Sequence, residues 1–144
     1  MDYRVMEEAD IGRVIPLYME YYNTKEDGCW TYETTFRRIH QVWSREDAYC
    51  LLLEEDGAPV GFAMGYFEQF DDISAYDLVE IVVDGRRQGQ GLGTRLMAEL
   101  ERRVKALGAS MVQLLAVRDE KHERFYGRLG YQDAGNLALK GKWL

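Results

Sequence analysis

The chain has 144 residues, 47% hydrophobic and 12% aromatic, enough apolar material for one sizeable core in a single domain spanning 1–144. No apolar run approaches the roughly 18 residues that a bilayer span requires, and the opening MDYRVMEEAD lacks the apolar centre of an export signal, so a cytoplasmic protein with no membrane partner is expected. A net charge of −7 argues against nucleic acid as a partner, and two cysteines, Cys29 and Cys50, without metal-type spacing predict reduced thiols and no metal centre.

Residues 3–6 (YRVM) read as a short first strand. Asp10 is placed to cap a helix whose apolar side is Ile11, Val14, Ile15, Leu17, Tyr18, Tyr21 and Tyr22, with Pro16 expected to mark a kink or an irregular turn. NTKEDGCW breaks that helix. TYETTFRRIHQVW predicts a second one, with Thr31 and Thr34 as caps. AYCLLLEEDGAPVGFAMGYFEQF divides at Asp56-Gly57 into two strands of a hairpin, and AYDLVEIVV is the next strand. Leu92, Leu96, Leu100, Val104 and Leu107 recur at helical spacing, and Gly108 closes that helix. MVQLLAV predicts a strand, KHERFYGRLG a short helix and LALKGKWL a last strand. The expected fold is mixed α/β (α+β), helices flanking a mixed, mostly antiparallel sheet in the order β-α-α-β-β-β-α-β-α-β-β.

Charge is unevenly distributed. From Glu46 to Asp84 there is no Lys or Arg, while acids recur throughout; Arg86 and Arg87 then arrive together. This would suit a cationic substrate beside an anionic ligand, and it equally describes solvated loop acids. RRQGQGLG follows, at the junction of a strand and a helix. The first amides of a helix lack intrahelical acceptors and carry the positive end of its dipole, which makes an anion site. Glycine at 89, 91 and 93 keeps Cβ atoms away from a phosphate, with Arg86, Arg87 and Arg95 as charge at the rim. A mononucleotide P-loop would end in Gly-Lys-Ser/Thr, whereas the chain reads Gly93-Thr94-Arg95. A Rossmann fingerprint needs Gly-x-Gly-x-x-Gly and an acid ending the next strand, and both are missing.

Gln88-Gly89-Gln90-Gly91-Leu92-Gly93 matches the (Gln/Arg)-x-x-Gly-x-(Gly/Ala) loop of the GNAT superfamily of acyl-CoA-dependent N-acetyltransferases. HERFYGRLGY, about 35 residues on, resembles that family's late Phe-Tyr-x-x-Leu-Gly-(Phe/Tyr) segment, and the resemblance covers nearly the whole chain. It implies that the amides of Gln88, Gly89, Gln90, Gly91, Leu92, Gly93 and Thr94 cradle the pyrophosphate of acetyl-CoA, with Gly89 as extra clearance. It also implies that the pantetheine arm pairs with the backbone near Ile81, Val82 and Val83. Asp119 stands where the family often has an Asn touching the cofactor, and an acid there departs from the pattern. Tyr126 aligns with the tyrosine that protonates the departing thiolate; its alternative role is to position the thioester sulfur. Phe125 and His122 are read as packing and as a half-exposed helix residue.

An amine of pKa near 10 must lose a proton before it attacks a thioester. Glu80 interrupts the apolar run LVEIVV and is the first candidate base, directly or through water, with Val79 and Ile81 expected to face away from it. An acid there is frequent in the resembling family; the alternative is an acid at a strand's wet end. Asp77, Glu68 and Asp72 are reserves suited to amine recognition. Cys29 and Cys50 have no neighbouring His, which argues against an acyl-cysteine route. The expected activity is therefore direct acetyl transfer, in a ternary complex, to a small cationic amine, with Glu26, Asp27 and Trp30 of the inter-helix loop available to it. The alternatives are a non-catalytic acyl-CoA-binding regulatory domain and a protein N-acetyltransferase. A homodimer is left open.

Overall fold

In the computed structural model, which describes residues 1–144, these runs become β1 (Asp2–Val5), α1 (Ile11–Lys25), α2 (Tyr32–Trp43), β2 (Ala48–Glu55), β3 (Ala58–Gln69), β4 (Ser74–Val83), α3 (Leu92–Ala106), β5 (Met111–Leu114) and α4 (Glu120–Arg128). The sheet runs in sequence order, antiparallel from β1 to β4, with β5 added parallel to β4. The fold is thus the expected mixed, mostly antiparallel sheet. On one face α1 and α2 enclose Ile11, Val14, Ile15, Ile39, Leu52, Phe62 and Met64; on the other α3 packs Leu92, Leu96, Met97, Leu100 and Val104 on Leu51, Leu53, Ala63 and Tyr76. No helix is long and apolar enough to cross a membrane.

The two final strands of the expected order do not form. β5 stops at Leu114 instead of continuing to Val117, and after α4 the chain makes no ladder. The alternation at 137–144 is present, but the segment forms no strand.

Local chemistry explains the helix starts. Thr31 caps α2, accepting from Thr34 N–H at 3.1 Å while the Thr34 hydroxyl accepts from Thr31 N–H at 3.0 Å. Pro16 lies within a continuous α1 rather than at a kink. The Asp10 side chain does not cap α1. It accepts from Glu7 N–H at 2.8 Å, from both terminal nitrogens of Arg4 at 2.9 and 2.8 Å, and from Arg13 at 2.8 Å. Both arginines also reach Glu54 on β2, at 3.1 and 2.7 Å. This network ties β1, α1 and β2 together.

Asp10 is only 4% exposed, and its arginine partners hold its carboxyl far below the usual range; Glu54 is lowered by the same two guanidiniums. Asp10→Asn leaves two guanidiniums short of a partner and is expected to cost about 2–3 kcal/mol, read from the urea midpoint at pH 7. Because these folded-state values lie below the unfolded ones, the contribution is complete above pH ~4 and disappears as pH falls below it. The wild type should therefore lose more stability between pH 7 and pH 3 than the variant does.

Two irregularities in β4 create the site. Met64 pairs with Glu80 but Gly65 with Leu78, so Val79 is an extra residue without an opposite. A Cβ on Gly65 would stand 2.1 Å from Asp77 O and 2.7 Å from the Tyr76 ring, so the bulge requires glycine there. Further along, β5 pairs only with Ala75–Leu78. From Val79 to Val83 the edge of β4 that faces β5 is left without a strand.

Candidate functional site

The chain leaves β4 through Asp84, whose amide bonds Val60 O at 2.8 Å. The Asp84 carboxylate accepts from Arg86 N–H at 3.0 Å and from its guanidinium at 3.1 and 2.8 Å. Arg87 pairs with Glu55 and donates to Gln90 Oε1 at 3.0 Å. The two arginines are therefore tied to carboxylates instead of standing as free rim charge, a correction to the sequence reading. Arg95, exposed on the first turn of α3, forms no ion pair and is the remaining cation.

Gly89 and Gly91 have φ of +82° and +75°, with Gly91 as the N-cap of α3. Gly89 is thus required by the turn and is more than extra clearance. The first backbone hydrogen bond of α3 runs from Arg95 N–H to Gly91 O at 3.1 Å, and the amides from Gln88 to Thr94 find no backbone acceptor. Gly93 serves a different purpose: a Cβ there would sit 3.3 Å from the Phe125 ring, which packs α4 onto the loop.

The bulge turns Val79 and Glu80 to the same face. Val79 packs with the α1/α2 core, while Leu78 and Ile81 pack on the α3 side. Only Ile81 therefore faces away from Glu80, contrary to the expectation for Val79, because the extra residue breaks the alternation. The Glu80 side chain is 11% exposed and accepts from Arg38 Nη2 at 3.1 Å through Oε1. Its other oxygen, Oε2, is buried without a partner. Burial raises the Tyr18 and Tyr22 phenols well above their ordinary value, and the nearby Glu80 carboxylate adds to both.

Tyr126, on α4, is partly buried: burial first, and the Glu80 carboxylate second, push its phenol up. At neutral pH it holds its proton and can donate it. Its ring stands edge-on to Phe125 and Tyr131, at 5.0 and 5.8 Å between centroids. Asp119 caps α4, accepting from His122 N–H at 2.8 Å and contacting His122 Nδ1 at 2.7 Å, so both are engaged in holding the helix start. Ile81, Val82 and Val83 line the unpaired part of β4.

The other candidates divide. Trp30 is fixed by Asn23, its N–H donating to Asn23 Oδ1 and its C=O accepting from Asn23 Nδ2, both at 2.9 Å, and it packs edge-on to Tyr18 at 5.0 Å, partly buried against the core. Glu26 accepts from the Tyr21 hydroxyl at 3.3 Å, and Asp27 and Asp72 are exposed. Asp77 accepts from Gln113 at 3.1 Å, and its contact with Glu68 pushes the Glu68 carboxyl up. Cys50 is buried, its thiol pushed to about 11, which leaves it inert as a nucleophile.

Sequence reasoning missed Arg38, Tyr18 and Tyr22 as the surroundings of Glu80. The signal for Arg38 was its position three residues after Thr35 and four before Val42, both buried, which places it on the inner stripe of α2.

The chain matches the profile of the acetyltransferase (GNAT) family over residues 13–131. It is 27% identical, over 153 aligned positions, to an uncharacterized N-acetyltransferase of Methanocaldococcus jannaschii, covering 98% of this chain and 63% of that protein, so it spans less than two thirds of that relative's length. A possible acetyltransferase from Clostridium difficile 630 superposes with a TM-score of 0.85 at 11% identity, covering 99% and 97% of the two chains. Glucosamine-6-phosphate N-acetyltransferase from Arabidopsis thaliana gives 0.71 at 22% identity, covering 97% of each. Ribosomal-protein-alanine N-acetyltransferase from Brucella melitensis gives 0.78 at 18% identity, covering 99% and 100%. Identities this low speak for a common fold alone.

Proposed function

Because the chain belongs to the acetyltransferase (GNAT) family, we propose that it is a cytoplasmic N-acetyltransferase that moves an acetyl group from acetyl-CoA directly to a small cationic amine. The observation that carries this reading is a run of seven amides, Gln88 to Thr94, without backbone acceptors at the opening of α3 and beside the unpaired edge of β4. The two fit the two polar parts of CoA: the amides and Arg95 take the pyrophosphate, and the edge near Ile81, Val82 and Val83 takes the amide-bearing arm.

Acetyl-CoA, when bound, supplies the acetyl group on an activated thioester. Arg38 fixes Glu80 through Oε1 and leaves Oε2 for the acceptor ammonium, so Glu80 both recognises the amine and takes its proton. As the C–N bond forms and the C–S bond breaks, Tyr126, protonated at neutral pH, gives its proton to the thiolate that leaves and is reprotonated by the second proton that the amine nitrogen releases. Amine and thioester are held together by the gap between β4 and β5, which makes the encounter unimolecular. Asp119 acts on the site by starting α4, which carries Tyr126.

Thiol release from acetyl-CoA across a panel of amines tests the proposal. Turnover with at least one small cationic amine, and its loss in Glu80→Gln, are expected. Binding of CoA with no amine-dependent release above hydrolysis would replace this reading with the regulatory one, and turnover confined to peptide N-termini or lysines would replace it with the protein acetyltransferase.

A further inference from the structure

Glu80 does not meet an acceptor alone. Arg38 on α2 donates to its Oε1 from Nη2 at 3.1 Å, and this is the single side-chain hydrogen bond that either group makes. Both partners therefore keep unused bonding capacity. Oε2 of Glu80 is buried without a donor, a costly condition for a carboxylate oxygen. Nε and Nη1 of Arg38 meet no acceptor, and its side chain is 39% exposed, so a solute can reach it.

The pair stands among phenol rings. Tyr18 and Tyr22 are 4.5 Å apart between centroids, and the Glu80 carboxylate acts on both, while Arg38 opposes it at Tyr18. Burial is the largest influence on either phenol, so charges here are weakly screened by water. Although the middle of the chain is acidic, this place is electrically balanced, with one carboxylate against one guanidinium. A plain ammonium approaching Oε2 is attracted by Glu80 and opposed by Arg38. An acceptor with a carboxylate on the carbon beside its amine brings the complementary pair of charges. Its ammonium meets Oε2, and its carboxylate meets the free nitrogens of Arg38 in the forked geometry that a guanidinium favours.

We propose that the acceptor is a free α-amino acid, its ammonium held by Glu80 and its carboxylate by Arg38. An amino-acid acceptor presupposes the acetyl-transfer reading and narrows it: the reacting ammonium arrives with its own anion. The acceptor carboxylate takes no part in the bonds exchanged. The nitrogen gives one proton to Glu80, bonds to the acetyl carbon as the C–S bond breaks, and gives its second proton to the Tyr126 phenolate. A peptide N-terminus carries an uncharged amide at that position and leaves Arg38 without an anion. A diamine brings a second cation toward it.

The common amino acids, each beside its amide and its decarboxylated amine, are compared for thiol release from acetyl-CoA. The best acceptor of the panel is expected to carry the free carboxylate, with kcat/KM at least about 30-fold above its amide and its amine. Arg38→Met should bring the three to near parity, chiefly by raising KM for the amino acid. A guanidinium that only steadied Glu80 would slow all three alike and preserve the ranking, which would overturn the proposal. So would an amide or a decarboxylated amine at the head of the wild-type ranking, and that comparison decides even where the variant does not fold. Titration calorimetry of the amino acids into the CoA-saturated protein separates the site from the reaction. Binding that Arg38→Met weakens, without turnover, would keep the amino-acid site and remove acetyl transfer. Turnover confined to amines without a carboxylate would keep acetyl transfer and remove the site. An absence of both binding and turnover with every amino acid would overturn the proposal.

Discussion

Gly91→Val should abolish acetyl-CoA binding, with at least a 100-fold loss of affinity, or about 3 kcal/mol, while the protein stays folded. Gly91 has φ of +75° and is the N-cap of α3. Nothing lies within 4 Å of the position a Cβ would take, so the substitution meets no steric block inside the protein. The strain is in the backbone: a β-branched residue in the left-handed region costs about 1–3 kcal/mol. The loop relieves that strain by turning Gly91 toward an extended conformation, which swings the amides of Leu92, Gly93 and Thr94 off their common direction. The anion site is made of that common direction, so binding is lost before stability is. Titration calorimetry with acetyl-CoA reads the first effect and a thermal melt the second. Unchanged affinity in a folded variant would remove the loop from the binding site.

This loop was legible in the sequence because everything it needs is local. Positive φ, exposed helix amides and the preceding strand are all specified within about a dozen residues, and so is the spacing of Phe125 and Tyr126 on α4. The errors lie in partners that a linear reading does not pair. Arg87 reads as free charge because Glu55 becomes its partner only when the β2–β3 hairpin stands beside the loop, whereas Arg86 turns back onto Asp84, two residues before it. Val79 was placed on the wrong side of β4 because a bulge is a property of two strands, visible only in the register against Gly65. Asp10 looked like a helix cap, and its stronger partners came from β1 and α1 at once. The last strand expected at 137–144 does not form, since alternation says how a strand would face and is silent about whether an edge receives it.

Tyr126→Phe should reduce kcat about 100-fold, the scale of a lost general acid, and leave the dissociation constant of acetyl-CoA nearly unchanged. The separation follows from position. In the proposed reading the cofactor is held by backbone amides of the loop and by the β4 edge rather than by this phenol, and a phenylalanine ring keeps the edge-on packing against Phe125 and Tyr131. What is removed is the proton that the proposed mechanism gives to the leaving thiolate. The pH dependence adds a sign. Burial and the Glu80 carboxylate raise the phenol above its ordinary pKa of about 10, so the protonated, donating form is complete at neutral pH and is lost only as pH climbs past that raised value. Wild-type kcat should therefore fall on the alkaline side, and the residual kcat of Tyr126→Phe should lack that fall. A variant with wild-type turnover would reduce Tyr126 to packing. A variant with reduced turnover that keeps the alkaline fall would assign that ionisation to another group, with Tyr126 acting by positioning the sulfur.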